Sequence, residues 1–174
     1  MAAAIVNRQR QVPLSPRRLA RAAARALAAV GRPAGEVEID VVDDREIRRL
    51  NARFRGIRRR TDVLAFPLEI EGRPGFAGAS PSRERGVKGG PSSPPFLVGQ
   101  VVISAETARR QARRIGVPLA TELDLLATHG VLHLAGYDDR DPVEADLMHR
   151  RERQILSAGG RRPPAALWRG LLHR

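Results

Sequence analysis

A chain of 174 residues with a formal net charge of +12 is long enough for one domain with a core of its own, and its charge points to a polyanionic partner, nucleic acid first. It has no cysteine, which excludes disulfides, thiolate metal sites and cysteine nucleophiles; the lack of a secretory pattern and of an apolar run near the roughly 20 residues of a membrane span predicts a cytoplasmic protein with no membrane partner. Aromatics make up only 3%, too few for a base-stacking sheet, and Lys88 is the single lysine among many arginines, so a GC-rich coding bias is a second source of the charge.

Ala2 to Arg8 reads as a short strand. Ser15 before Pro16 opens a helix, a capping hydroxyl followed by a residue whose missing N–H is no loss in the first turn. Its apolar face is Leu19, Ala23, Leu27 and Val30, and Gly31 closes it. Val37, Ile39 and Val41 alternate with Glu38 and Asp40, the pattern of a half-exposed strand. Asp43 or Asp44 caps a second helix with Ile47, Leu50 and Phe54 on its apolar side, and Thr61 to Phe66 forms a strand stopped by Pro67. Residues 71–95 are rich in Gly, Pro, Ser and Arg and lack periodicity, which predicts a flexible loop inside the domain, because the elements on either side are too short to stand alone. Leu97 to Ile103 is a strand; Ser104 caps a third helix with Ala108, Ala112 and Ile115 inward. Leu119 to Ala135 is apolar on most sides and predicts the central buried helix. Asp141-Pro142-Val143-Glu144 is a capping box that opens a last helix through Met148 and Ile155, and residues 159–174 read as a C-terminal tail with room for a small amphipathic piece. This order predicts an α+β (α/β-like) fold, a small mixed sheet of about four strands flanked by about five helices, with residues 1–158 as one domain.

The chemistry concentrates in Thr128-His129-Gly130-Val131-Leu132-His133-Leu134-Ala135-Gly136-Tyr137-Asp138-Asp139. Residues four apart share a helical face, so His129 and His133 can reach one ion. Gly136 permits the left-handed turn that ends the helix and returns the chain, which makes Asp139 a candidate third ligand. Asp138 is the alternative, with Asp139 then orienting a histidine. Two histidines and a carboxylate suit one Zn²⁺ with an open position for water. The spacing is that of a zinc hydrolase, but a protease carries Glu beside the first histidine as its base, and here Gly130 stands there. Either another base serves or the metal ionises the water itself.

The same stretch resembles the H-G-x-L-H-L-x-G-Y-D-H signature of the YbeY family of rRNA maturation endoribonucleases. Asn51-Ala52-Arg53-Phe54-Arg55-Gly56 followed by Thr61-Asp62-Val63-Leu64-Ala65-Phe66-Pro67 is similar to that family's N-x-x-[YF]-R and T-[DN]-V-L-S-F-P stretch, and Val98-Gly99-Gln100-Val101-Val102-Ile103-Ser104 to its L-G-D-[IV]-x-I-S strand. The matches keep the family's order over roughly residues 35–157. The resemblance implies a mixed sheet flanked by helices, a metal in a cleft, and cleavage of single-stranded RNA in maturing the 3′ end of small-subunit rRNA and in ribosome quality control. It implies partners on the small ribosomal subunit and a role in activity for Arg55, in keeping with a guanidinium's bidentate grip on phosphate. Two departures matter: Asp139 stands where the family usually has histidine, and Gln100 where it usually has aspartate.

The leading expectation is therefore a zinc-dependent endoribonuclease, with His129, His133 and Asp139 on the metal, Arg55 and His129 in catalysis, and Arg55, Arg58, Arg59 and Arg60 on RNA. Taken singly, Arg55 also reads as a solvated helix-end residue, and Arg58 to Arg60 as a solvated charge run. The nucleophile is either water or the RNA's own 2′-OH. The alternative function is a non-catalytic ribosome-assembly factor that binds rRNA, with zinc as a structural staple.

Overall fold

Segments rich in β-branched residues pair into one four-stranded sheet: β1 (Ala3–Asn7), β2 (Gly35–Val42), β3 (Val63–Pro67) and β4 (Phe96–Ser104). The computed structural model that places them describes residues 2–68, 96–160 and 163–171; the expected loop at 71–95 lies outside these residues. The helices are α1 (Pro16–Ala29), α2 (Asp44–Arg55), α3 (Ala105–Ile115), α4 (Leu119–Leu134), α5 (Pro142–Ser157) and α6 (Ala165–Leu171). The sheet order is β1-β2-β4-β3. β1 and β4 run parallel to β2, while β3 is antiparallel to β4, so the sheet is mixed as expected.

Side-chain alternation gives the sheet two unlike faces. Val37, Ile39, Val41, Val63, Val101 and Ile103 join the main core, which α1 and α4 complete. The other face is covered more lightly: Val42, Leu64 and Val102 meet Ile47 of α2. α4 is buried without a break from Glu122 to Leu132, which is the central helix the sequence predicts. Four of the helices begin at residues whose side chains accept a backbone N–H: Ser15 for α1, Asp43 for α2, Ser104 for α3 and Asp141 for α5. Each such cap is worth about 1 kcal/mol.

Two expectations are corrected. β2 is not half-exposed: strands flank it on both sides, Glu38 is half-buried and Asp40 is 7% exposed. The polar residues of β2 are taken up by neighbours, since Arg8 Nε donates to Asp40 at 3.1 Å and Gln100 Nε2 to Glu38 at 2.7 Å. Phe54 lies on the same side of α2 as Leu50 but is not buried: one residue from the C-terminus of the helix it is 56% exposed, resting edge-on against Phe66 of β3 with Arg53 over its ring. The described residues hold six helices beside the expected four-stranded mixed sheet. The sixth lies in the stretch read as a tail, where Leu167 is fully buried with Ala112, Val117, Leu125 and Leu156, a burial worth about 2 kcal/mol.

Candidate metal centre

His129 and His133 lie one turn apart near the C-terminus of α4. Gly136 follows with φ 94°, the left-handed conformation that lets the chain double back. The turn brings the Tyr137 carbonyl to His133 Nδ1 at 3.0 Å and returns Asp139 to both rings. Asp139 Oδ2 is 3.5 Å from His129 Nε2 and 3.7 Å from His133 Nε2, and the two Nε2 atoms are 2.9 Å apart. Two nitrogens and an oxygen at tetrahedral positions on Zn²⁺ would be about 3.3 Å apart, so the observed spacings bracket what one small ion needs. Asp138 is turned elsewhere: Arg140 clasps its carboxylate at 2.7 and 2.9 Å and holds its pKa down at about 2.

Ring orientation supports the same use. The Tyr137 carbonyl can only accept, so His133 Nδ1 carries the hydrogen and Nε2 presents a lone pair. His129 Nδ1 bonds Glu152 Oε1 at 2.7 Å, with Glu152 wholly buried. Burial alone would raise the Glu152 pKa, but hydrogen bonds from His129 and His149 outweigh it and hold the group below its ordinary value. An ionised carboxylate behind a histidine fixes its tautomer and strengthens it as a ligand. Asp139 is likewise held well below the usual carboxylate range by hydrogen bonds from His129 and His133, against the opposing effect of burial.

Gly130 has a steric cause. A Cβ there would stand 2.5 Å from Val101 Cγ1 and 2.9 Å from Val101 Cγ2. α4 lies so close to β4 that the position beside His129 admits no side chain, least of all the glutamate of a protease. Gln100, the neighbour of Val101, points to the opposite sheet face and takes no part in this cluster. Its amide donates to Glu38 at 2.7 Å and reaches Asp40 at 3.4 Å. A carboxylate in its place would confront two others, which gives a physical reason for the neutral amide here.

The cluster opens on a cleft of about 480 Å³ whose walls include Arg60, Asp62, Arg110, Arg114 and His149 beside His129 and Asp139. Of the four arginines expected on RNA, only Arg60 lines it; Arg55, Arg58 and Arg59 are exposed but not among its lining residues. The loop carrying them is nonetheless anchored. Buried Asn51 donates to the Arg59 carbonyl at 2.8 Å, Arg48 donates to that of Arg58 at 3.2 Å, and Gly56 ends α2 in a left-handed turn. Asp62 pins the start of β3 through the Val63 N–H and accepts from Gln111 of α3 at 3.0 Å. Sequence reasoning missed Glu152, His149, Arg110 and Arg114. Their signals were present: an acid on the apolar side of α5 with Met148 and Ile155, and Thr107, Arg110, Gln111 and Arg114 at helical spacing along one side of α3.

The family model described as endoribonuclease YbeY matches residues 4–160. A protein named endoribonuclease YbeY from Moorella thermoacetica is 38% identical over 168 residues, covering 93% of this chain and 99% of that protein. One from Thermobifida fusca is 39% identical over 152 residues, 87% of this chain and 89% of its own length. One from an Anaeromyxobacter species is 42% identical over 144 residues, which are 83% of this chain but 65% of that longer protein. The solution structure of a Thermotoga maritima protein superposes with a TM-score of 0.54 at 23% identity, covering 89% of this chain and 87% of the other, and so shares the fold.

Proposed function

The chain belongs to the endoribonuclease YbeY family, and from that premise we propose that it is a metal-dependent endoribonuclease that cuts single-stranded RNA, in rRNA maturation at the 3′ end of the small-subunit rRNA and in ribosome quality control. The small ribosomal subunit and its proteins are the proposed partners and the cytoplasm the proposed location; no helix among the described residues is long and apolar enough to cross a membrane. The observation that carries the reading is the convergence of His129, His133 and Asp139, with ligand atoms all within 4.8 Å of one another, on a cleft walled by arginines.

In this reading His129 Nε2, His133 Nε2 and Asp139 Oδ2 hold Zn²⁺. When bound, the ion supplies Lewis-acid polarisation of a phosphoryl oxygen and of the attacking hydroxyl. The protein's own groups do the rest. Glu152 keeps His129 oriented through Nδ1, and the Tyr137 carbonyl does the same for His133. Arg60 binds the phosphate in the cleft, and Arg55, with no ion-pair partner among the described residues, and Arg58 and Arg59 hold the strand beyond it.

The test is cleavage of single-stranded RNA by zinc-replete protein freed of contaminating nucleases, beside His129→Ala at equal concentration. The variant is expected to lose at least a hundredfold in rate, about 2.7 kcal/mol of transition-state stabilisation, and its zinc. Equal rates in the two would end the endoribonuclease reading and leave the assembly-factor role.

A further inference from the structure

A phosphodiester reaction must move a proton off the attacking hydroxyl, and α4 offers no acceptor for it, since Gly130 leaves no room for a side chain. We propose that His149 of α5 is that acceptor, the general base of the cleft, held in place by the buried Glu152 carboxylate. The inference rests on the reading of the cleft as an RNA-cleaving site.

His149 lines the cleft together with His129 and Asp139, yet stands outside the three-residue ligand cluster. Its side chain is 18% exposed, and its Nδ1 lies 3.0 Å from Glu152 Oε2. The carboxylate accepts and does not donate, so the hydrogen of the neutral ring sits on Nδ1 and the Nε2 lone pair is free. The other oxygen of the same carboxylate holds His129 at 2.7 Å. One buried group thus fixes two imidazoles, one towards the ligand cluster and one in the cleft wall, and sets their relative position. A solvated surface histidine has no such support. The remaining cleft groups are poor acceptors. Arg60, Arg110 and Arg114 offer donors and no lone pair to accept with. Asp62 is engaged by Thr61, Val63 and Gln111, and Asp139 faces both ligand histidines.

The step is a proton transfer coupled to displacement at phosphorus. His149 Nε2 takes the proton of the attacking hydroxyl, whether of water or of a ribose 2′ position, while that oxygen's electron pair forms the new P–O bond. The bond from phosphorus to the leaving ribose oxygen breaks with its electron pair, and that oxygen takes a proton from solvent. The imidazolium, stabilised by Glu152, then returns its own proton to solvent, so charge and atoms balance.

The test uses the full zinc-loaded protein with His149→Asn, whose amide nitrogen stands near the place of Nδ1 and keeps the bond to Glu152 while removing Nε2, and with His149→Ala. Three quantities are read: single-turnover cleavage, zinc content, and affinity for a 2′-O-methyl oligonucleotide that resists cleavage. The expected result is a fall of about a hundredfold in kcat for both variants, with KM, zinc content and oligonucleotide affinity unchanged, and partial recovery of His149→Ala by added imidazole. A wild-type kcat in His149→Asn overturns the proposal. So does a loss that appears in zinc content or affinity instead of kcat, since that marks a positioning role. Wild-type protein that fails to cut RNA sinks the endoribonuclease reading and this inference with it, whereas an active wild type beside a fully active His149→Asn sinks the inference alone.

Discussion

The Nε2 atoms of His129 and His133 face each other at 2.9 Å, and each ring already uses Nδ1 on an acceptor. Two lone pairs cannot sit at that distance without a cation between or beside them. In the metal-free protein a proton fills the role. Burial would lower the His129 pKa, but hydrogen bonds from Asp139 and Glu152 outweigh it and push the group up to about 9. A metal needs the same lone pair and must expel that proton, so affinity should climb roughly tenfold per pH unit and level off above about 9. The folding side has the opposite sign. A pKa raised on folding contributes stability that is complete below the ordinary value of 6.5 and is lost as pH rises through about 9. The thermal midpoint of chelator-treated protein should therefore fall behind that of zinc-loaded protein as pH goes from 6 to 9. Melting the two forms side by side across that range checks it; a gap that stays constant would mean that no proton is exchanged for the metal.

Among the elements, α4 against β4 is the contact that decides the site's chemistry. Glycine inside a helix costs about 1 kcal/mol relative to alanine, yet Gly130 sits mid-helix because Val101 occupies the space its Cβ would take. Gly130→Ala should recover the propensity term and lose more to overpacking, which typically costs about 1–3 kcal/mol, for a net destabilisation of roughly 1 kcal/mol. Denaturant unfolding measures it, and Gly130→Ala with Val101→Ala should regain part of the loss by removing the clashing methyls. A single variant as stable as the parent would mean that the helix shifts freely and the close approach has no cost. The sequence made α4, its capping neighbours and the His-His-Asp spacing legible, since each is a short-range pattern: an i,i+4 pair, a glycine turn, a capping side chain. It did not show why Gly130 is glycine, because the cause lies across the core on β4. Nor did it separate Arg60, in the cleft, from Arg58 and Arg59, since the bonds from Asn51 and Arg48 that set the loop come from another element. His149 and Glu152 escaped notice for the same reason: their meaning depends on α5 lying beside the end of α4, and only their helical spacing was written locally.

At the scale of the whole molecule, a net charge of +12 has two explanations, an anionic partner or a coding bias that scatters arginine everywhere. The fold separates them by place. Arg60, Arg110 and Arg114 gather around the candidate metal cluster although they come from a loop and two turns of α3. Arg110 is held by Asp44, whose carboxylate also accepts from Ser104 and Thr107, while Arg114 has no ion-pair partner among the described residues. Arg114 lies one helical turn from Arg110, about 6 Å along the axis, a step comparable to one nucleotide of an extended strand. Where this charge serves RNA at the candidate metal cluster, a substitution should act through counterion release. Arg114→Ala is expected to reduce the slope of log affinity against log salt for single-stranded RNA by about 0.7, the share of one phosphate contact. Arg17→Ala, at an exposed arginine of α1 outside the cleft, should leave the slope unchanged. Titrating RNA affinity across salt concentrations for both variants decides the matter. Equal, small changes at the two sites would assign the charge to diffuse attraction over the whole surface, and a change at Arg114 alone would tie it to RNA bound at the candidate metal cluster.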